Sequence, residues 1–187
     1  MIFVLLVILA LLVLFAIWFV VTRNSFVKAD NQWKEAFSTM DVYLKRRSDL
    51  VPNLVNTVKG FAAHESDVLI GVVQARNAVE AQVGNPDPTA RLQSENALTA
   101  GLGRIFALAE SYPELQSNTN FLNLQEQLGQ IETDIAASRK YYNATVRYFN
   151  NKAQMFPTSL VASMAGFHEK PFFEVTNEER QNVNVQF

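Results

Sequence analysis

The chain has 187 residues, a formal net charge of −2 and no cysteine. That length suits one domain of ordinary size, and the near-neutral charge supplies no field to attract nucleic acid. The missing thiols exclude disulfides, thiolate metal sites and cysteine nucleophiles.

The first element is IFVLLVILALLVLFAIWFVV (2–21), apolar throughout, with no charge, amide, glycine or proline. About twenty helical residues at about 1.5 Å each cover a hydrocarbon core of about 30 Å. A cleaved signal peptide needs a cationic start, a shorter apolar core and small residues at the cut. Here no charge precedes the run, and FAIWFVV is too bulky to be cleaved. The expectation is a single-pass anchor in the cell membrane, with Trp18, Arg23 and Lys28 touching the lipid surface. Cations just after the span favour a cytoplasmic position for the bulk of the chain.

Neither glycine nor proline occurs between Met1 and Val51, so the anchor is expected to continue into the first soluble helix, a rod of about 75 Å. Phe26, Trp33, Phe37, Met40, Leu44 and Val51 form one apolar row, which Asp30 and Arg47 complete. Leu54, Val58, Phe61, Val68, Val72, Ala75 and Val79 extend it, interrupted at Glu65. Such rows place one stripe along a helix. Pro52 removes a backbone donor and crowds the preceding turn, which predicts a kink or break.

Within this helix, DVYLKRRSD (41–49) carries three adjacent cations, Lys45, Arg46 and Arg47. Consecutive residues lie about 100° apart, so they share no face. On a straight helix Lys45 stands about 36 Å beyond the anchor, against a Debye length of about 8 Å, so lipid headgroups do not explain it. Asp41 and Lys45 have the favourable acid-first i,i+4 order. Arg47 sits in the apolar row and requires a carboxylate or carbonyl inside the bundle. Glu65, Glu132 and Asp134 are the candidates. The triplet reads mainly as architecture, with a protein-partner site at Lys45, Arg46 and Arg47 as the functional alternative.

GNPDP (84–88) supplies turn chemistry. A third helix follows, with Leu98, Leu102, Ile105, Ala109 and Tyr112 on one face. YPELQSN (112–118) makes the next break, where Ser117 or Asn118 caps the fourth helix. There Phe121, Leu124, Leu128, Ile131, Ile135, Ser138, Tyr142, Thr145 and Phe149 keep heptad spacing as far as the stop at Pro157. Ser138 and Thr145 mark close helix approach, with hydroxyls bonded back to the helix. TSLVASMAGF (158–167) reads as a short apolar helix closed by Gly166. The tail beyond is polar apart from Phe172, Phe173 and an alternation of Val183, Val185 and Phe187. The aromatic pair tucks against the bundle. Alternatively, Phe172, Phe173 and Phe187 belong to a docking peptide that adds to a partner's sheet edge, as PDZ-type domains accept. The expected organisation is an anchor at 1–22, a helical bundle at 23–156 and a short helix with an extended tail at 157–187. The fold class is all-α, an antiparallel bundle of about four long helices.

Little chemistry is encoded. His64–Glu65 and His168–Glu169 have no second histidine at metal-ligand spacing. No nucleophile elbow, phosphate loop or dinucleotide fingerprint occurs. The carboxylates are dispersed along helices. These features predict no enzyme activity, no cofactor, no metal and no small-molecule substrate.

DVYLKRRSDLVPNLVNTVKGFAAHE (41–65) and YPELQSNTNFLNLQEQLGQIETDIAASRKYYNATVRYFNNKAQMFPTSLVASMAGF (112–167) resemble the LemA family. The resemblance implies a membrane-anchored helical bundle without established catalytic residues. Relatives in magnetotactic bacteria are associated with building magnetosome membranes, and others occur near membrane proteases. Gly129 and Gln130 stand where relatives more often carry charge. The expected function is a non-enzymatic scaffold or adaptor that binds the bilayer, forms homo-oligomers and organises envelope proteins. The alternative is a regulator or sensor whose C-terminal tail docks onto a membrane protease or signalling partner.

Overall fold

A computed structural model describes residues 1–83 and 88–173. The expected turn at 84–87 and the alternation at Val183, Val185 and Phe187 lie outside the described residues. Six helices follow in order: α1 (Ile2–Lys59), α2 (Ser66–Ala81), α3 (Pro88–Ala109), α4 (Pro113–Gln116), α5 (Thr119–Gln154) and α6 (Thr158–Ala165). No strand occurs among the described residues, so the fold is all-α.

Two compact units divide these helices. One joins Met1–Ser38 to Lys140–Phe172; the other contains Thr39–Arg139 and Phe173.

In the second unit the core draws on α1, α2, α3, α4 and α5. Val51, Leu54 and Val58 of α1 meet Leu69, Val72 and Val79 of α2, Leu98, Leu102 and Ile105 of α3, and Phe121, Leu124 and Leu128 of α5. Helix α3 approaches α2 at Gly101, where an added Cβ would stand 3.1 Å from a Val72 methyl. Leu115 of α4 is completely buried beneath the break between the long helices.

Pro52 neither ends nor breaks α1, which runs on to Lys59. Of the kink or break expected there, the break does not occur; the chain turns instead at Gly60, with i,i+3 hydrogen bonds. An internal proline costs about 3 kcal/mol, while burying Leu54 and Val58 returns about 1.5–3 kcal/mol each. Both of those side chains are fully buried, so packing wins.

In the first unit, the early part of α1 lies antiparallel to the late part of α5. Tyr142 touches Trp33 and Phe37, at ring-centroid distances of 6.4 and 6.0 Å. Further along α5, Phe149 meets Phe26, at 5.9 Å. Advancing along α5 therefore moves back along α1, toward the apolar run. Val161 and Ala162 of α6 close the same cluster, and Phe167 stacks on Phe26 at 4.9 Å. Gly166 ends α6 with a left-handed φ of 72°, a conformation that glycine adopts without strain.

Asn118 caps α5, its Oδ1 accepting from the Asn120 and Phe121 amides at 3.0 and 3.1 Å. Ser138 and Thr145 bond back to Ile135 and Tyr142 carbonyls, at 3.0 and 2.7 Å. Losing the cap in Asn118→Ala is expected to cost about 1 kcal/mol, read as an earlier midpoint in denaturant titration of the detergent-solubilised chain. Asn118→Asp is expected to retain wild-type stability.

Candidate functional site

The basic triplet resolves into three separate environments. Lys45 is exposed and pairs with Asp49, with Glu80 3.9 Å away. It is not paired with Asp41, whose carboxylate instead meets Arg91. Arg46 is exposed. Arg47 is 1% exposed, which corrects its candidacy as a surface residue for a partner.

Arg47 is the hub of a buried ion cluster. Its Nη2 donates to Glu95 Oε2 at 2.7 Å and to the Glu95 carbonyl at 3.3 Å. Its Nη1 donates to Thr99 Oγ1 and Glu132 Oε2, both at 2.9 Å. Glu95 is 0% exposed and faces Arg91 on its other side, 3.6 Å away. The expected inward carboxylate is thus present at Glu132, together with Glu95, which lies outside the apolar rows of the sequence. Glu65 instead accepts from the Tyr112 hydroxyl at 3.1 Å, and Asp134 accepts from Gln130 at 3.4 Å. Burial pushes the Glu95 carboxyl above its ordinary range, against the pull of Arg47 and then Arg91.

Arg47 and Glu132 line a cleft of about 380 Å³ with Phe106, Leu128 and Gly129. Two guanidinium groups here face three carboxylates, Asp41, Glu95 and Glu132. The positive charge is consumed internally, which leaves no anion-binding excess. Among the described residues, no group of three histidine, aspartate or glutamate side chains is arranged to hold a metal.

The first unit places the remaining site residues. Residues 2–17 of α1 are all exposed, while Trp18 and Phe19 pack partly against the Phe26, Phe149 and Val161 cluster. Arg23 and Lys28 are exposed just beyond. Lys152 reaches Ser25 Oγ and lies over the Phe26 ring, 4.9 Å from its centroid. Burial holds its ammonium below the ordinary lysine range.

The chain after α6 is tied down. Asn150 donates to the Lys170 carbonyl and accepts from its amide, both at 2.8 Å. The Lys170 ammonium pairs with Asp30 at 2.8 Å and lies over Trp33 and Phe149, at 4.2 and 5.1 Å. Tyr142 donates to the Pro171 carbonyl at 3.0 Å. Phe172 is 41% exposed and remains available to a partner. Phe173 is completely buried, with the Arg139 guanidinium 5.3 Å from its ring centre, which corrects its place among the docking residues. Phe187 lies outside the described residues.

These features define an all-α protein with, among the described residues, one helix long and apolar enough to cross a membrane and an internally neutralised polar core. The chain belongs to the LemA family, whose model matches residues 36–187. Magnetosome protein MamQ 1 of Paramagnetospirillum magneticum is 26% identical over 174 residues, covering 81% of this chain and 64% of that protein. The chain therefore spans less than two thirds of that relative's length. Protein LemA of Metamycoplasma hominis is 22% identical, over 87% of this chain and 74% of its own length. Magnetosome protein MamQ of Magnetospirillum gryphiswaldense is 27% identical, over 86% and 70%.

Removing Arg47 strips the buried Glu95 carboxyl of its nearest cation and leaves it with Arg91 alone. Arg47→Ala is expected to destabilise the protein by about 3–5 kcal/mol, whereas Arg46→Ala shifts stability by about 0.5 kcal/mol or less. Denaturant unfolding of both variants checks the contrast.

A second expectation concerns acid. Burial raises the Asp30 pKa, but Lys170 and Lys34 outweigh it and hold the carboxyl below its ordinary 3.8. The folded value is depressed, so this stabilisation is present above 3.8 and is lost as pH falls through the folded value. Asp30→Asn is expected to remove about 1–2 kcal/mol at neutral pH and flatten that acid limb. Hydrogen exchange at Lys170 measured against pH reads both effects.

Proposed function

We propose that this protein is a non-enzymatic, membrane-anchored scaffold or adaptor that self-associates and organises other envelope proteins. The observation carrying this reading is the run at 2–21, whose side chains stay outside every core cluster up to Trp18. Apolar surface on that scale favours lipid over water. Arg23 and Lys28, exposed directly after the run, favour a cytoplasmic position for the bulk of the chain.

The helical surface supports the adaptor part. Ile70 and Val73 of α2 are 53% and 38% exposed. They line an apolar cleft of about 340 Å³ with Val55, Ala63 and Leu69, and contiguous exposed apolar surface marks interaction sites. Tethering confines copies to two dimensions, which raises effective concentration and lets weak lateral contacts assemble. The similarity to proteins named for the magnetosome fits organisation of a membrane better than turnover of a small molecule.

Two measurements test the reading. Native mass analysis in mild detergent is expected to show oligomers that weaken in Ile70→Glu/Val73→Glu, and monomers at every loading would contradict self-association. Since the sequence has no cysteine, Gln127→Cys gives a unique thiol for sidedness. It is expected to resist an impermeant thiol reagent in intact cells and to react after lysis; labelling before lysis would reverse the orientation.

A further inference from the structure

The corner between α5 and α6 is an apolar surface that the anchor reading leaves unexplained. Met155 and Phe156 are 63% and 79% exposed, and Leu160 and Met164 of α6 are 52% and 73% exposed. Leu160 and Met164, four residues apart, share a helix face. The face opposite holds Val161 and Ala162, which are buried on Phe26, Ala29 and Phe149. Residues 155–167 contain no charged side chain. Keeping such a face in water is costly, and exposed patches of this kind mark a surface that something covers.

Helix register identifies what covers it. Along α5, Tyr142 lies against Trp33 and Phe37, Phe149 against Phe26, and Lys152 against Ser25. One further turn, about 5 Å, brings Met155 and Phe156 level with residues 19–22 of α1, where the apolar run ends. Trp18 and Phe19 pack on the same cluster as Val161, Ala162 and Ala153. The corner is therefore continuous with the membrane end of the first unit. Its chemistry also suits that level. Trp18 beside it is of the type that concentrates at the membrane–water interface, and helices whose apolar face carries Phe or Leu lie in the interface plane.

We infer that the α5–α6 corner is a second lipid contact, with Met155, Phe156, Leu160 and Met164 seated in the interfacial layer of the bilayer that holds 2–21. This rests on the anchor reading above. The corner fixes the first unit against the lipid surface through a second point, which a single span alone leaves free to tilt and rotate.

Single cysteines in the full chain test it: Phe156→Cys and Met164→Cys at the corner, Leu11→Cys in the span and Tyr141→Cys as a water-exposed control. Each is labelled with an environment-sensitive fluorophore and reconstituted in phosphatidylcholine vesicles. Lipids spin-labelled at a shallow or a deep acyl position then serve as quenchers. The expected result is blue-shifted emission at both corner sites, lost mainly to the shallow quencher, with Leu11 losing emission to the deep one and Tyr141 to neither. Corner probes that stay aqueous while Leu11 is quenched would overturn the inference and leave the anchor standing. An unquenched Leu11 would overturn the anchor reading and the inference with it. A blue shift at the corner without lipid quenching, relieved by diluting the protein in lipid, would show a second copy covering the face and would equally overturn it. Helical circular dichroism matching the wild type ensures that each variant is folded.

Discussion

Twenty consecutive apolar side chains wound into one helix set the terms for everything else in this molecule. Residues 2–17 have no protein neighbour to bury them and remain exposed. Each such side chain favours an apolar environment by about 1.5–3 kcal/mol when fully transferred. At half that value these side chains sum to roughly 12–24 kcal/mol, at or above the roughly 5–15 kcal/mol that holds a typical domain folded. A bilayer removes that surface from water directly. The backbone of the run meets the same demand, because a helix satisfies its own hydrogen bonds.

Beyond the run, α1 serves as one wall of both compact units, and the two units solve their packing differently. The first uses aromatic contact: Phe26, Phe149 and Phe167 form a three-ring cluster, and Lys152 and Lys170 lay their ammonium groups over its faces. The second places an ion cluster beside its aliphatic core, with Arg47 joining α1 to Glu95 on α3 and Glu132 on α5. Such a cluster adds little net stability over an apolar replacement, but each member is costly to lose alone. Its geometric demand fixes the register among the three helices, since a guanidinium shifted by one turn no longer reaches both carboxylates.

Much of this was legible in the sequence. The stripes of α1, α3 and α5 follow helical periodicity, and every apolar member from Phe121 to Ile135 on α5 is buried. The need for a carboxylate beside Arg47 followed from its place in an apolar row. Glu95 lies N-terminal to the apolar part of the α3 stripe, which starts at Leu98. Extended back by three and then four residues, the stripe reaches Glu95 and Arg91, both buried. At Pro52 local propensity disfavours a helix, and tertiary burial of Leu54 and Val58 outweighs it, so no break occurs there. The ties from Asn150 and Asp30 to Lys170 depend on side chains more than a hundred residues apart in the latter case. No local pattern announces such a pairing. Membership of the LemA family accords with the two quoted sequence blocks, which both fall within the matched residues 36–187, whereas the apolar run at 2–21 lies outside them.

Membrane residence is the claim on which the scaffold reading and the lipid contact at the α5–α6 corner both stand. Alkaline carbonate extraction of membranes from cells making the full chain tests it most directly. The account predicts that the protein stays in the membrane pellet with residues 2–21 intact, and is released only by detergent. Recovery in the carbonate supernatant, or of a chain that has lost those residues, would contradict it.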